Sequence, residues 1–130
     1  MPEIRTHQRI SQELCGTPVH IEEGFSRVEL LTISSMAVDE TGLVHGGFVF
    51  GLADYAAMIA VNHPYVVLGA AEVKFLKPVK AGSRLVAEAS VVTREGKKQQ
   101  VQVSVICNEQ VVFSGFFTCM ILNKHVLSDP

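Results

Sequence analysis

The chain has 130 residues, which fits one domain with a sizeable hydrophobic core. Apolar residues make up 48% and charged residues 18%, the balance of a soluble globular protein rich in core. The formal charge of −2 gives no whole-chain basis for binding nucleic acid, although it leaves room for a local basic patch.

The first segment, MPEIRTHQRISQEL, is too polar for a signal peptide, and its acidic residues argue against a transit peptide. Ile4, Ile10 and Leu14 predict a short amphipathic helix over about 4–14, with Thr6 as N-cap and Gly16 and Pro18 as its stop. Residues 19–38, VHIEEGFSRVELLTISSMAV, are rich in Val, Ile and Thr and predict strand, in one piece or in two separated at Gly24. Asp39-Glu40-Thr41-Gly42 then predicts a turn leading to His45.

The next stretch, HGGFVFGLADYAAMIAVN, predicts a long helix. From Phe48 to Val61 its only polar groups are the Asp54 carboxylate and the Tyr55 hydroxyl. A helix apolar on every side is normally buried. This one is too short for a bilayer, carries Asp54, and stops at Asn62-His63-Pro64. Four strand-like runs follow, and their alternation and short turns predict an antiparallel meander. One sheet curled around one central helix satisfies both patterns, giving an α+β domain over 1–130, with a core at about 18–122 and a frayed C-terminal tail.

Cys15, Cys107 and Cys119 form no C-x-x-C pair, which predicts free thiols in a cytoplasmic protein. His7, His20, His63 and His125 are scattered and read as surface residues. No His spacing suits a metal, and no cofactor is expected.

Asp54 poses the chemical question, because an ionised carboxylate is costly to bury without compensation. At the helix start, Gly46 and Gly47 leave unpaired backbone N–H groups that a ligand can approach closely, suited to an oxyanion or a polarised carbonyl. Asp54 lies eight residues after Gly46, roughly 12 Å along the helix axis. If both act on one atom, the two groups belong to different subunits whose helices pack antiparallel. The bland alternatives are a structural carboxylate at Asp54, tight helix entry at the glycines, and a capping role for His45.

HGGFVFGLAD followed by YAAMIAVN resembles the hotdog-fold acyl-CoA thioesterases, most closely the phenylacetic-acid-pathway type. So does AEVKFLKPVKAGSRLVAEASVV downstream, and the resemblance covers roughly residues 20–122. It implies a central helix wrapped by an antiparallel sheet, a homodimer or a dimer of dimers, and an acyl-CoA substrate. It also implies that Asp54 is general base or nucleophile across the dimer interface. Gly46, helped by Gly47, would polarise the carbonyl, and His45 would lie near the thioester sulfur. Many members carry Asn six residues before that histidine; this chain has Asp39, which would stand in for the Asn or raise the pKa of Asp54. Lys74, Lys77, Lys80 and Arg84 are candidates for the phosphates of CoA, with Arg94, Lys97 and Lys98 as a second cluster. Solvated charges guarding a sheet edge are the plain alternative.

The later strands also resemble the effector domain of malonyl-CoA-responsive regulators of fatty-acid synthesis, which implies a non-catalytic acyl-CoA sensor instead. That group has Asn in place of Asp54 and a DNA-binding segment ahead of the domain, and both differences favour the enzyme. A hotdog hydratase is a third alternative, but its helix start is patterned differently from His45-Gly46-Gly47.

Overall fold

The computed structural model describes residues 1–128. A four-residue helix α1 (Gln12–Cys15) leads into strands β1 (Thr17–Glu22) and β2 (Phe25–Leu31). A 3₁₀ turn (Ser34–Met36) and a loop precede the long helix α2 (Gly46–Val61). Strands β3 (Val66–Phe75), β4 (Arg84–Glu95), β5 (Lys98–Cys107) and β6 (Gln110–Ile121) complete the chain. The six strands form one antiparallel sheet in the order β1-β2-β4-β5-β6-β3, wrapped around α2 as in the hotdog fold. No described helix is long and apolar enough to cross a membrane.

The core sits between α2 and the concave face of the sheet. Strand alternation delivers Val28 and Leu30 from β2, Leu85, Ala87 and Ala89 from β4, Val101, Val103 and Val105 from β5, and Phe113, Phe117 and Cys119 from β6, all essentially inaccessible. On α2, Ala53, Ala56, Ala57 and Ala60 are small and buried, which lets the sheet close on the helix. The buried Ser26 hydroxyl donates to the Ala56 carbonyl at 2.6 Å, so β2 is tied to α2 with no unsatisfied donor.

Three sequence expectations are corrected. Helix is confined to Gln12–Cys15, capped by Ser11, whose hydroxyl accepts from Leu14 N–H. Residues ahead of it bind elsewhere: Asn62 accepts from Arg5 N–H at 2.8 Å and donates to the Glu3 carbonyl at 2.8 Å. Thr6 is therefore buried rather than an N-cap. The strand reading of residues 19–38 ends at Leu31; Ser34–Met36 is a 3₁₀ turn, and Gly24 (φ 74°) turns the chain between β1 and β2. Nor do the last four strands form a simple meander. β4, β5 and β6 do, but β3 pairs with β6 at the sheet edge. The 76–83 connection is held off that path by the loop before α2, where Val44 N–H donates to the Val79 carbonyl and Ala81 N–H to that of Gly42.

β3 approaches β6 closely where Gly115 has no side chain. A Cβ there would lie 2.5 Å from the Glu72 carbonyl oxygen and 2.7 Å from Val73 Cγ1. The result is a ten-residue edge strand with Ala70, Ala71 and Phe75 exposed.

Candidate active site

Asp54 projects from the middle of α2 toward the start of β3. Its Oδ1 is buried and has no hydrogen-bond partner. Burial alone raises its pKa to about 6, so the group titrates near neutrality rather than in the usual carboxylate range. Its charge reaches two thiols. Cys119 on β6 is pushed up to about 12, by burial first and Asp54 second, and Cys15 is raised by the same causes in the same order. Both thiols therefore stay protonated at neutral pH, which makes them poor nucleophiles.

Asp54 opens onto a cleft of about 560 Å³, with Met58 one turn further along α2. One wall is the N-terminal segment from Arg5 to Gln8, and the other is Tyr65 with the start of β3. His125 and Val126 lie at the rim. His7 and His125, which read as ordinary surface histidines, therefore line the cleft that holds Asp54. No local pattern in the sequence signals this, because what brings His7 here is the long-range bonding of Asn62 to residues 3 and 5.

The helix start lies in a different place. Gly46 lines a smaller cleft of about 330 Å³, with Val49, Phe75, Lys77, Val79 and Val112. A Cβ at Gly46 would sit 2.9 Å from Phe75 Cε1, so the glycine lets the Phe75 ring lie against the helix entry. Phe75 in turn packs edge-on against Phe113, with centroids 5.1 Å apart, yet remains 56% exposed. The Gly46 and Gly47 amides open the helix and have no carbonyl a turn earlier to bond. His45 is the N-cap residue, but its side chain makes no capping bond; its ring meets Phe48 edge-on.

The remaining candidates divide. Lys77 joins Gly46 in its cleft. Lys80 pairs by its backbone with Leu43, and its side chain lies beside Gly42. Lys74 faces a separate groove on the outer sheet surface with Gln102 and Phe116. Arg84 is paired with Glu29 at 3.5 Å and lines yet another groove, so it does not join the lysines. Asp39 accepts from the Thr41 amide at 2.9 Å and the Thr41 hydroxyl at 2.6 Å, which holds its pKa below the ordinary range. Within one chain it contributes nothing to the raised pKa of Asp54. Arg94 lies over Gly24, and Lys97 and Lys98 stand at the β4–β5 turn.

The six-stranded antiparallel sheet wrapped around α2 defines the class of domain, the hotdog fold. The model of the thioesterase superfamily matches residues 41–114, which include the helix start, Asp54 and Lys77. The chain belongs to that superfamily.

Among similar proteins, the methylthioribose-1-phosphate isomerase of Aquifex aeolicus is 52% identical over 122 residues, 93% of this chain but 27% of that protein. The transcription factor FapR of Caldanaerobacter subterraneus is 29% identical over 119 residues, 91% of this chain and 60% of that protein. The chain thus spans about a quarter to three-fifths of these relatives. Of solved structures, an uncharacterized Pyrococcus horikoshii protein matches with a TM-score of 0.97 and 58% identity over 98% of both chains. A mutant of the phenylacetic acid degradation protein PaaI from Thermus thermophilus matches with a TM-score of 0.78 and 26% identity, covering 85% of this chain and 97% of that one.

Proposed function

We propose that this protein is an acyl-CoA thioesterase, hydrolysing a small-to-medium or aryl acyl thioester to the free acid and CoA. The observation that carries this reading is the half-buried Asp54 carboxylate: its Oδ1 is buried and unpartnered, and its pKa is raised to about 6, as suits a base working near neutrality. Superfamily membership and the likeness to PaaI support it.

Asp54 and Gly46 line separate clefts of one chain, so a shared site needs two. In the proposed homodimer, β3 supplies an exposed edge and the two α2 helices run antiparallel, bringing Asp54 of one subunit opposite the helix start of the other. Asp54 takes a proton from water as the water oxygen bonds to the thioester carbon. The carbonyl electrons move to oxygen, where the Gly46 and Gly47 amides of the partner subunit hold the oxyanion. Collapse breaks the C–S bond, and the CoA thiolate takes back the proton that Asp54 holds. His45 lies beside the departing sulfur. Asp39 orders the loop leading to His45 through Thr41, and Lys77, with Lys80 next along that loop pair, meets the CoA phosphates.

A second reading, a non-catalytic acyl-CoA-binding protein, is favoured by the similarity to FapR. Free-thiol release from a panel of short, medium and aryl acyl-CoAs separates the two. Hydrolysis by the wild type that collapses in Asp54→Asn supports the enzyme; binding by both with turnover by neither supports the binding protein.

A further inference from the structure

The N-terminal segment is fastened to the far end of α2 by two bonds of one side chain. Asn62, the left-handed C-cap residue of α2 (φ 52°), holds Arg5 N–H and the Glu3 carbonyl, each at 2.8 Å. Immediately after this strap the backbone turns through a left-handed residue, His7 (φ 54°), in a conformation that few side chains adopt. That turn aims the imidazole inward. Its Nδ1 shares a 2.8 Å hydrogen bond with the buried Thr6 hydroxyl, and its ring stands 6.3 Å from that of Tyr55, the residue next to Asp54. The ring is therefore oriented at both ends, in a segment that Ile4 and Ile10 also anchor to the core.

The cleft it borders runs from Asp54 past Met58 toward the C-terminal end of α2, away from Gly46. An acyl group whose carbonyl sits at Asp54, with CoA leaving along the partner's helix start, has this space for its tail. We propose that residues 5–8, strapped to Asn62, form the wall that sets the length of acyl group accepted, with the His7 imidazole as its end stop. Burial pushes the His7 pKa below the ordinary histidine range, which favours the uncharged ring at this end of the cleft. The inference rests on the thioesterase reading for the position of the carbonyl.

Two substitutions test it without breaking the backbone. His7→Gly removes the ring and fits the left-handed conformation; Asn62→Gly keeps the helix C-cap and cuts both strap bonds. Dissociation constants for straight-chain acyl-CoAs from acetyl to dodecanoyl, and for phenylacetyl-CoA, are measured in an Asp54→Asn background. Values of kcat/KM for the same series are measured with Asp54 intact. Both variants are expected to move the optimum to longer chains and to raise the long-to-short preference about tenfold. An unchanged chain-length profile in both overturns the wall while hydrolysis by the parent protein keeps the thioesterase reading. A parent that binds the series without hydrolysing it sinks the enzyme alone, and the binding profile still decides the wall. No binding and no turnover by the parent overturns both.

Discussion

Asp54 is the residue at which stability and chemistry conflict. Its carboxyl titrates at about 6 because burial disfavours the charge, whereas an unfolded aspartate titrates near 4. The folded state therefore binds more protons than the unfolded state between those values, and stability falls as pH rises from about 4 to about 6. Above that range the full penalty is present, on the order of 3 kcal/mol. Asp54→Asn should accordingly unfold at higher denaturant concentration than the wild type at pH 7.5, with the difference vanishing near pH 4. The same substitution should lower kcat/KM by about 10²–10⁴-fold, the range for a lost general base. Wild-type kcat/KM should rise with pH along a limb centred near 6, as the base loses its proton. A profile flat from pH 5 to 8 would remove Asp54 from that role.

At the scale of elements, the sheet depends on a few close approaches. Gly115→Ala would place a methyl against the Glu72 carbonyl and the Val73 side chain, forcing β3 away from β6. A loss of about 2–4 kcal/mol is expected in chemical denaturation, as for other overpacked or strained sites. Phe113→Ala should cost about 3–5 kcal/mol, because that ring is fully buried and meets Phe50, Phe75 and Phe117. Much of this was legible in the chain. The all-apolar pattern of α2 announced a buried helix, and the Val101-Val103-Val105 alternation announced the face of β5. What was not legible depends on contacts between distant residues. Nothing local in VVLGAAEVKF says that β3 pairs with β6 instead of β4. The apolar spacing of Ile4, Ile10 and Leu14 suits a helix, but the bonds to Asn62 hold the first of these residues in another conformation. His7 escaped notice for the same reason. Asp54, by contrast, stood out as a lone carboxylate in an apolar run, and the chemistry of its surroundings follows from that.

For the whole molecule, the proposed mechanism requires that one chain supply half of each site. The Asp54 and Gly46 clefts lie on separate parts of α2, and the β3 edge carries exposed Ala70, Ala71 and Phe75. A long, unpaired edge of that kind is a template for pairing with another chain. A two-fold dimer through this side would complete two equivalent sites, each with the base from one subunit and the amides from the other. The most direct measurement is subunit complementation. Asp54→Asn and Gly46→Pro, the latter removing the amide hydrogen at the first helical position, where the exposed Phe75 ring has to swing aside to admit the proline Cβ, are each prepared, checked for folding and dimer formation, and assayed alone. The two are then unfolded, mixed in equal amounts, refolded together and assayed again for free-thiol release. Each variant alone should be inactive. The mixture should recover about a quarter of wild-type activity, since half of the randomly formed dimers carry one intact site out of two. A mixture as inactive as its components, although mixed dimers form, would place Asp54 and Gly46 in the same subunit's site and contradict the shared-site account.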